Sequence, residues 1–305
     1  MAKTKKLIAV DSGKFNTKAK SDIGEIIFGT RYSLGFTDPD MLGDKTYNVK
    51  YKGQEYTLGD NANHADKNEG KISTVHILST LTAIALLSDG AECIELMYGE
   101  SFNKYSNAEH KRRIKEVFEG AHTIKVGDTE YNFEITLCHI LPEGIGHILS
   151  DMRTYSGLQY TIDWGGTTVI FIKSMNGRPD MQESKSFHLG MHNVVAIIQD
   201  QLIKKGIGRY DNEQIEEWIE GGCKKIEIQK VINNVISEQL IRIDECLSGF
   251  GINLHEYLDV TFIGGTSQKF APYIKQHYHC ANIYSDCLRA NVNGYYEYGR
   301  AKYGK

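Results

Sequence analysis

Proline is scarce, with four in 305 residues, and no stretch is proline-rich or of low complexity. A semi-rigid or random-coil tether is therefore not expected, and the domains should pack together directly. The six cysteines (Cys93, Cys138, Cys223, Cys246, Cys280, Cys287) contain no CxxC pair. The opening MAKTKK runs into a short strand without a secretory leader, so they are expected to be reduced thiols of a cytoplasmic protein. Long apolar runs are missing too. That around Ile77 to Leu87 is broken by Ser79, Thr80 and Thr82 and falls short of the roughly 20 residues that span a bilayer. It reads as a buried helix, and no membrane association is expected. Nor is there a strong net charge: 35 basic against 39 acidic residues give −4, with the signs interspersed. No global field draws the chain to DNA or anionic lipid, so direct nucleic-acid binding is not expected.

Two nucleotide-binding signatures are absent. There is no GxxxxGK[ST] ahead of a helix and no GxGxxG, which argues against a P-loop and against a Rossmann fingerprint. His76, His139, His147, His188 and His192 are scattered without HExxH spacing or cysteine partners, which argues against a histidine metal site. The run Lys111, Arg112, Arg113 reads as the solvated face of a helix rather than a DNA patch.

What the chain does have is length and 41% apolar residues, enough for two domains of ordinary size. Strands and helices alternate, which argues α/β. Lys6 to Asp11, Phe15 to Ser21 and Glu25 to Gly29 read as a three-stranded meander. TYNVKYKGQEYTL reads as a hairpin turning at Lys52-Gly53. Ser73 or Thr74 is placed to cap the apolar helix, which leads to the strand CIELMYG. Asn107 to Gly120 reads as a basic amphipathic helix, and HTIKV pairs with YNFEITL around Gly127-Asp128. Further helices are predicted at Asn193 to Lys204, Asn212 to Gly221 and Lys225 to Gly249. In the last, Ile228, Ile232, Ile236, Leu240, Ile243 and Leu247 recur at helical spacing. VTFIGG and a short segment near Asn282 to Tyr284 read as strands, with a final helix beginning near Ser285.

The chemistry lies in two meanders, AVDSGKFNTK at Ala9 to Lys18 and TIDWGGTTVI at Thr161 to Ile170, whose aspartates are 152 residues apart. In each, a β-branched strand ends in Asp, and a glycine-containing turn reverses the chain into a second strand rather than a helix. Such a turn lets backbone N–H groups converge on phosphate oxygens with no Cβ in the way. Asp11 and Asp163 offer hard oxygens of the kind Mg²⁺ prefers. Ser12, Asn16, Thr167 and Thr168 add donors, and Lys14 and Lys18 add cations for a polyphosphate. One such turn is a common hairpin feature; two, opening the two halves of the chain, point to a phosphate cleft.

These residues resemble the actin, sugar kinase and Hsp70 superfamily of ATPases. The two meanders are similar to its phosphate-1 and phosphate-2 loops, and VTFIGGTS at Val260 to Ser267 to its adenosine loop. The narrower resemblance is to plasmid-segregation actins of the ParM/StbA type. LPEG at Leu141 to Gly144 places Glu143 20 residues before Asp163, and ANVNGYYEYG at Ala290 to Gly299 is similar to that family's closing helix.

The resemblance implies an actin-like, ribonuclease H-like α/β fold of two domains flanking a nucleotide cleft. Residues 1–148 with 286–305 would form the first and 149–285 the second. It implies a catalytic set of Glu143, Asp163 and Asp11, with Glu143 as base or water-orienter and the aspartates on Mg²⁺, directly or through water. Gly13, Gly165, Gly166 and Thr167 would cradle phosphates, and Gly264, Gly265 and Thr266 would meet the nucleoside. Thr266 departs from the usual small third residue of that loop. Gly190 reads either as a further close-approach glycine or as an ordinary turn. The implied activity is ATP (or GTP) hydrolysis coupled to filament formation. The implied cargo is plasmid DNA, reached through a DNA-binding adaptor on a centromere-like site. The alternative is a non-filamentous sugar-type kinase or regulatory ATPase of the same superfamily.

Trp164 sits inside the second turn and should turn its side chain into the core. Tyr295, Tyr296 and Tyr298 should dock the last helix onto the first domain.

Overall fold

The computed structural model describes residues 4–65, 70–150, 156–257 and 259–304. Two compact units divide the chain, Met1–Met152 with Asn291–Lys305, and Arg153–Ala290.

The first unit begins with β1 (Lys5–Ser12), β2 (Asn16–Ser21), β3 (Gly24–Gly29), β4 (Arg31–Leu34), β5 (Thr46–Tyr51), β6 (Gln54–Gly59) and β7 (His64–Ala65). It continues through α1 (Thr74–Leu87), β8 (Cys93–Glu100), α2 (Phe102–Tyr105), α3 (Ala108–Phe118), β9 (Gly120–Val126), β10 (Thr129–Pro142) and α4 (Gly146–Ser150). Among the described residues these strands form one ten-stranded sheet, in the order β3-β2-β1-β8-β10-β9-β5-β6-β4-β7. Only β1, β8 and β10 run parallel to one another.

These three are the central strands, and their sequences show why. Leu7 to Val10 are all buried, as expected for a strand covered on both faces, so the apolar run is continuous rather than alternating. Ile8 and Val10 join the cluster containing Leu78, Leu81 and Ile84 of α1. Ser73 holds the N-cap position of α1 without making a side-chain cap bond. The β5–β6 hairpin turns at Lys52-Gly53, both with positive φ (49° and 79°), as a two-residue primed turn requires. β4 and the edge strand β7 beside it are too short to show alternation and were not legible as strands. On α3, Ile114 and Phe118 face the core, while Arg112 pairs with Glu109 and Glu116 and Arg113 with Glu109 on the exposed side. That is a solvated face.

The second unit contains β11 (Leu158–Trp164), β12 (Val169–Met175), β13 (Arg178–Pro179), β14 (Lys185–Phe187), α5 (Met191–Lys204), α6 (Asn212–Gly221) and α7 (Ile226–Ser248). It ends with β15 (Val260–Ile263), α8 (Gly265–Lys269), α9 (Ala271–His277) and β16 (Ala281–Ile283). Here β11, β15 and β16 are the parallel strands, and β12 lies antiparallel to β11. All six apolar positions predicted for α7 are buried, in one cluster with Trp164, Phe262 and Phe270. Asp211 caps α6 by accepting from the Gln214 amide at 2.7 Å.

The last helix, α10 (Ala290–Tyr303), starts later than the Ser285 expected. The intervening Cys287–Arg289 forms a 3₁₀ turn, and the Cys287 thiol donates to the Tyr284 carbonyl at 2.9 Å. The helix packs in the first unit. Gly299 lies close to Leu7 and Met97, the buried Tyr295 hydroxyl donates to the Pro142 carbonyl at 3.0 Å, and Tyr298 packs against His139.

Among the described residues no helix is long and apolar enough to cross a membrane.

Candidate functional site

The two Asp-x-Gly hairpins have the same backbone design. In the first, Ser12 pairs with Thr17 as the closing residues and Asp11 pairs with Lys18. In the second, Trp164 pairs with Val169 and Asp163 with Ile170. Each encloses a four-residue turn closed by the same bond, Gly13 N–H to Asn16 O at 3.1 Å and Gly165 N–H to Thr168 O at 2.9 Å. Equal turn length fixes equal register, so each aspartate sits one residue before its closing pair. The difference lies opposite the aspartate, where one hairpin offers a lysine and the other an isoleucine.

In the first unit, three adjacent parallel strands end in or beside an acid. β1 ends at Asp11-Ser12, β8 at Glu100, and β10 leads directly into Glu143. Carboxyl ends of parallel strands are where open α/β sheets bind ligands, because loops diverge there. The acids are neutralised in a definite pattern. Lys18 Nζ lies 3.1 Å from Asp11 Oδ2, and Lys71 Nζ lies 2.9 Å from Asp11 Oδ1 and 2.5 Å from Glu143 Oε1. The backbone of Lys71 is held as well: its amide donates to Glu100 Oε2 at 3.3 Å and its carbonyl accepts from the Tyr98 hydroxyl at 2.5 Å.

Burial alone would raise the pKa of Asp11, but the charges of Lys18 and Lys71 outweigh it and hold the carboxyl well below the usual range. Burial likewise favours a neutral Lys71, yet Asp11 and Glu143 hold its ammonium well above the ordinary value. The cluster thus joins a buried pair, Asp11 and Lys71, to the partly exposed side chains of Lys18 and Glu143.

Lys71 was not among the residues singled out from the sequence. A lone lysine two residues before a helix cap has no distinguishing pattern, and its partner Asp11 lies 60 positions away. His76 was set aside as a structural histidine. It is buried, with Nδ1 2.8 Å from the Ser12 hydroxyl and Nε2 3.5 Å from Lys14 Nζ. The hydroxyl of Ser12 is thus engaged inside the unit, with His76 and with Thr17 at 3.2 Å.

The Glu143 loop is clamped by α10. Asn291 Oδ1 accepts from the amides of Gly144 at 3.0 Å and Gly146 at 3.2 Å. A Cβ on Gly294 would fall onto the Gly146 backbone. The Asn and Gly of ANVNG thereby acquire physical roles. One bonds the loop that carries Glu143; the other lets the helix lie against it.

In the second unit, Asp163, Gly165, Gly190, Gly264 and Thr266 come together. Trp164 turns inward as expected: it is fully buried, its indole N–H donates to the Leu189 carbonyl at 3.0 Å, and its ring meets Phe270 edge-on at 5.1 Å. Gly190 resolves as a close-approach position, since a Cβ there would overlap the backbone of Gly166 and Thr167. The start of α5 then bonds the turn, with Gly190, Met191 and His192 amides donating to Thr167, Gly165 and Gly166 carbonyls. Gly264, at φ 92°, is pressed against Trp164 and the Asp163 carboxylate, so a side chain is excluded by both conformation and space. Thr266 donates to the Gly165 carbonyl at 2.9 Å, and Gly265 begins α8 beside Leu288. The Asp163 charge is felt nearby, since burial and then Asp163 push the Cys287 thiol up to about 11.

Two α/β units of this topology, each opened by an Asp-ended hairpin, define the actin-like fold. Residues 9–146 match the family model of the N-terminal domain of actin-like proteins. Among solved structures, the chain is similar to Ta0583, an archaeal actin homolog, in its complex with ADP (TM-score 0.76, 18% identity, 97% of this chain and 99% of that one). It is similar to a 15-stranded ParM filament from Clostridium botulinum (0.76, 18%, 98% and 99%) and to the Alp12 filament (0.72, 22%, 98% and 99%). No curated protein matches by sequence. The resemblance to actin-like proteins read from the motifs is borne out by the family model over residues 9–146, and the fold is shared with ParM- and Alp-type actin homologues.

Proposed function

We propose that this chain is a filament-forming nucleotide hydrolase that segregates plasmid DNA from within the cytoplasm. The observation that carries the reading is the buried Asp11–Lys71–Glu143 cluster at the carboxyl ends of β1 and β10. A fold of this kind has little use for the ammonium groups of Lys71 and, beside it on Asp11, Lys18 at that place unless a polyanion is to be received there.

The residues fit a Mg²⁺-nucleoside triphosphate. Asp11 is held ionised and offers hard oxygens, although both are engaged by lysines, which favours contact with the ion through water. Asp163 occupies the corresponding register position in the second unit. A Cβ on Gly165 would meet nothing nearer than Thr168 O at 3.7 Å, so packing does not demand glycine there. Its absence of side chain leaves the turn bare for phosphate oxygens. When bound, Mg²⁺ would offset phosphate charge and draw electron density from the bond to be cleaved.

The chain's own residues supply the rest. In the first unit Gly13 and Asn16 would offer donors to phosphate oxygens, and Lys14, Lys18 and Lys71 positive charge; in the second, Gly165, Gly166, Thr167 and Thr168 would offer donors. Glu143 accepts a proton from, or orients, the attacking water; positioning and charge stabilisation contribute most of the rate in such reactions. Gly264, Gly265 and Thr266 border the nucleoside. Binding of ADP by the archaeal neighbour supports nucleotide binding here, and the filaments of the ParM and Alp12 neighbours support self-association. The net charge of −4 supports an adaptor, rather than the filament itself, as the DNA contact.

Sedimentation with Mg²⁺ and ATP or GTP, paired with phosphate release, tests the reading. A polymer that appears with triphosphate and decays as phosphate is released is expected. No pellet and no turnover with either nucleotide would overturn it.

A further inference from the structure

In the second unit, Asp244, His255 and His277 converge with one ligand atom each, all within 4.8 Å of one another. Asp244 lies near the end of α7, His255 in the 3₁₀ turn Leu254–Glu256, and His277 is the last residue of α9. We propose that these three side chains form a binding site for a divalent transition metal, with zinc as the fitting ion.

The distances support this. A tetrahedral zinc bound at the usual lengths sets its ligand atoms about 3.3 Å apart. His255 Nε2 is 3.4 Å from Asp244 Oδ2, already at that spacing, and His277 Nε2 is 2.6 Å from the same oxygen and must open by a fraction of an ångström. The two rings meet edge-on, with centroids 5.3 Å apart. Two imidazoles and one carboxylate suit zinc and its neighbours in the first row, and suit magnesium and calcium poorly. The carboxylate is also oriented from behind. Its other oxygen, Oδ1, accepts from the Tyr278 hydroxyl at 2.8 Å, the outer-sphere contact typical of metal-binding acids. His255 has 44% of its side chain exposed, which gives the ion an entry path and leaves a coordination position for water. Bound metal would join Asp244 to His255 and His277, 11 and 33 residues further along the chain, so it should stabilise the unit by mass action.

The test uses the full chain, freed of metal with a chelator and without nucleotide. Calorimetric titration with zinc chloride should give one equivalent bound and raise the thermal midpoint, with no response to magnesium or calcium. His255→Ala, at an exposed position, should abolish both effects. Tyr278→Phe should weaken binding by about tenfold, the low end for loss of an outer-sphere partner. Cobalt(II) on the unaltered chain should show four- or five-coordinate visible bands without thiolate charge-transfer bands. The proposal is overturned if zinc does not bind, if His255→Ala binds it unchanged, or if cobalt shows thiolate ligation. In those cases Asp244 serves only to hydrogen-bond the two histidines.

Discussion

Lys71 Nζ lies 2.9 Å from Asp11 Oδ1 with the lysine side chain only 2% exposed, so an ion pair is held where water barely reaches. Such a pair is costly to break from one side, because the remaining charge stays buried. Lys71→Met leaves Asp11 with Lys18 alone and frees Glu143. The expected loss is about 3 kcal/mol, the low end for such a deletion, read from urea unfolding. A loss below about 1 kcal/mol would mean that Lys18 satisfies Asp11 unaided.

Stability should fall with acid in two stages. Burial depresses His147 from 6.5 to about 4, and His139 is likewise lowered to about 4, by burial and then by Lys302. Both are neutral in the folded chain, whereas the unfolded chain takes up protons from about pH 6.5 downward, so stability is lost from there to about pH 4. Asp11, held below the usual range, contributes fully above its unfolded pKa of about 3.9 and loses that contribution as pH falls further. Urea midpoints across pH should show both stages. His147→Phe should shrink the upper stage and Asp11→Asn the lower; equal slopes in wild type and variants would refute the assignment.

Glu143→Gln keeps the size of the side chain and removes its basicity. If Glu143 activates water, turnover should drop by about a hundredfold, the lower end for losing a general base. Nucleotide affinity should change little and polymers should persist. Normal phosphate release would remove Glu143 from the mechanism.

Asn291→Ala deletes the acceptor for the Gly144 and Gly146 amides, at a cost of about 1–3 kcal/mol for the orphaned donors. As a positioning residue for Glu143, it should lower kcat while leaving nucleotide affinity near wild type. Parallel loss of both would indicate general unfolding instead.

Gly190→Ala forces a methyl group onto the Gly166–Thr167 backbone. About 1–3 kcal/mol of destabilisation is expected from such overpacking, and nucleotide affinity should fall with it because the turn must shift. An unchanged melting temperature would contradict the close approach.

Much of this was legible in the sequence because it is written locally. Short apolar, β-branched runs on either side of a glycine turn specify a hairpin, and turn length then specifies register, so Asp11 and Asp163 could be placed at strand ends from the residues alone. Helical spacing in Ile228 to Leu247 likewise specifies α7 and its buried face. The Asp244–His255–His277 cluster shows the opposite case. Its members follow no ligand spacing, because helix, 3₁₀ turn and helix each contribute one residue.

By itself, then, the sequence determined the two hairpins, the helical faces and the order of motifs that mark an actin-like chain, since short-range sterics and periodicity decide these. Only the tertiary structure decided that Lys71 would stand on Asp11 and Glu143, that Asn291 would hold the Glu143 loop, and that Gly190 would face the second turn. Those depend on which strands become neighbours and on charges finding partners in a low-dielectric interior, and no local pattern encodes such pairings.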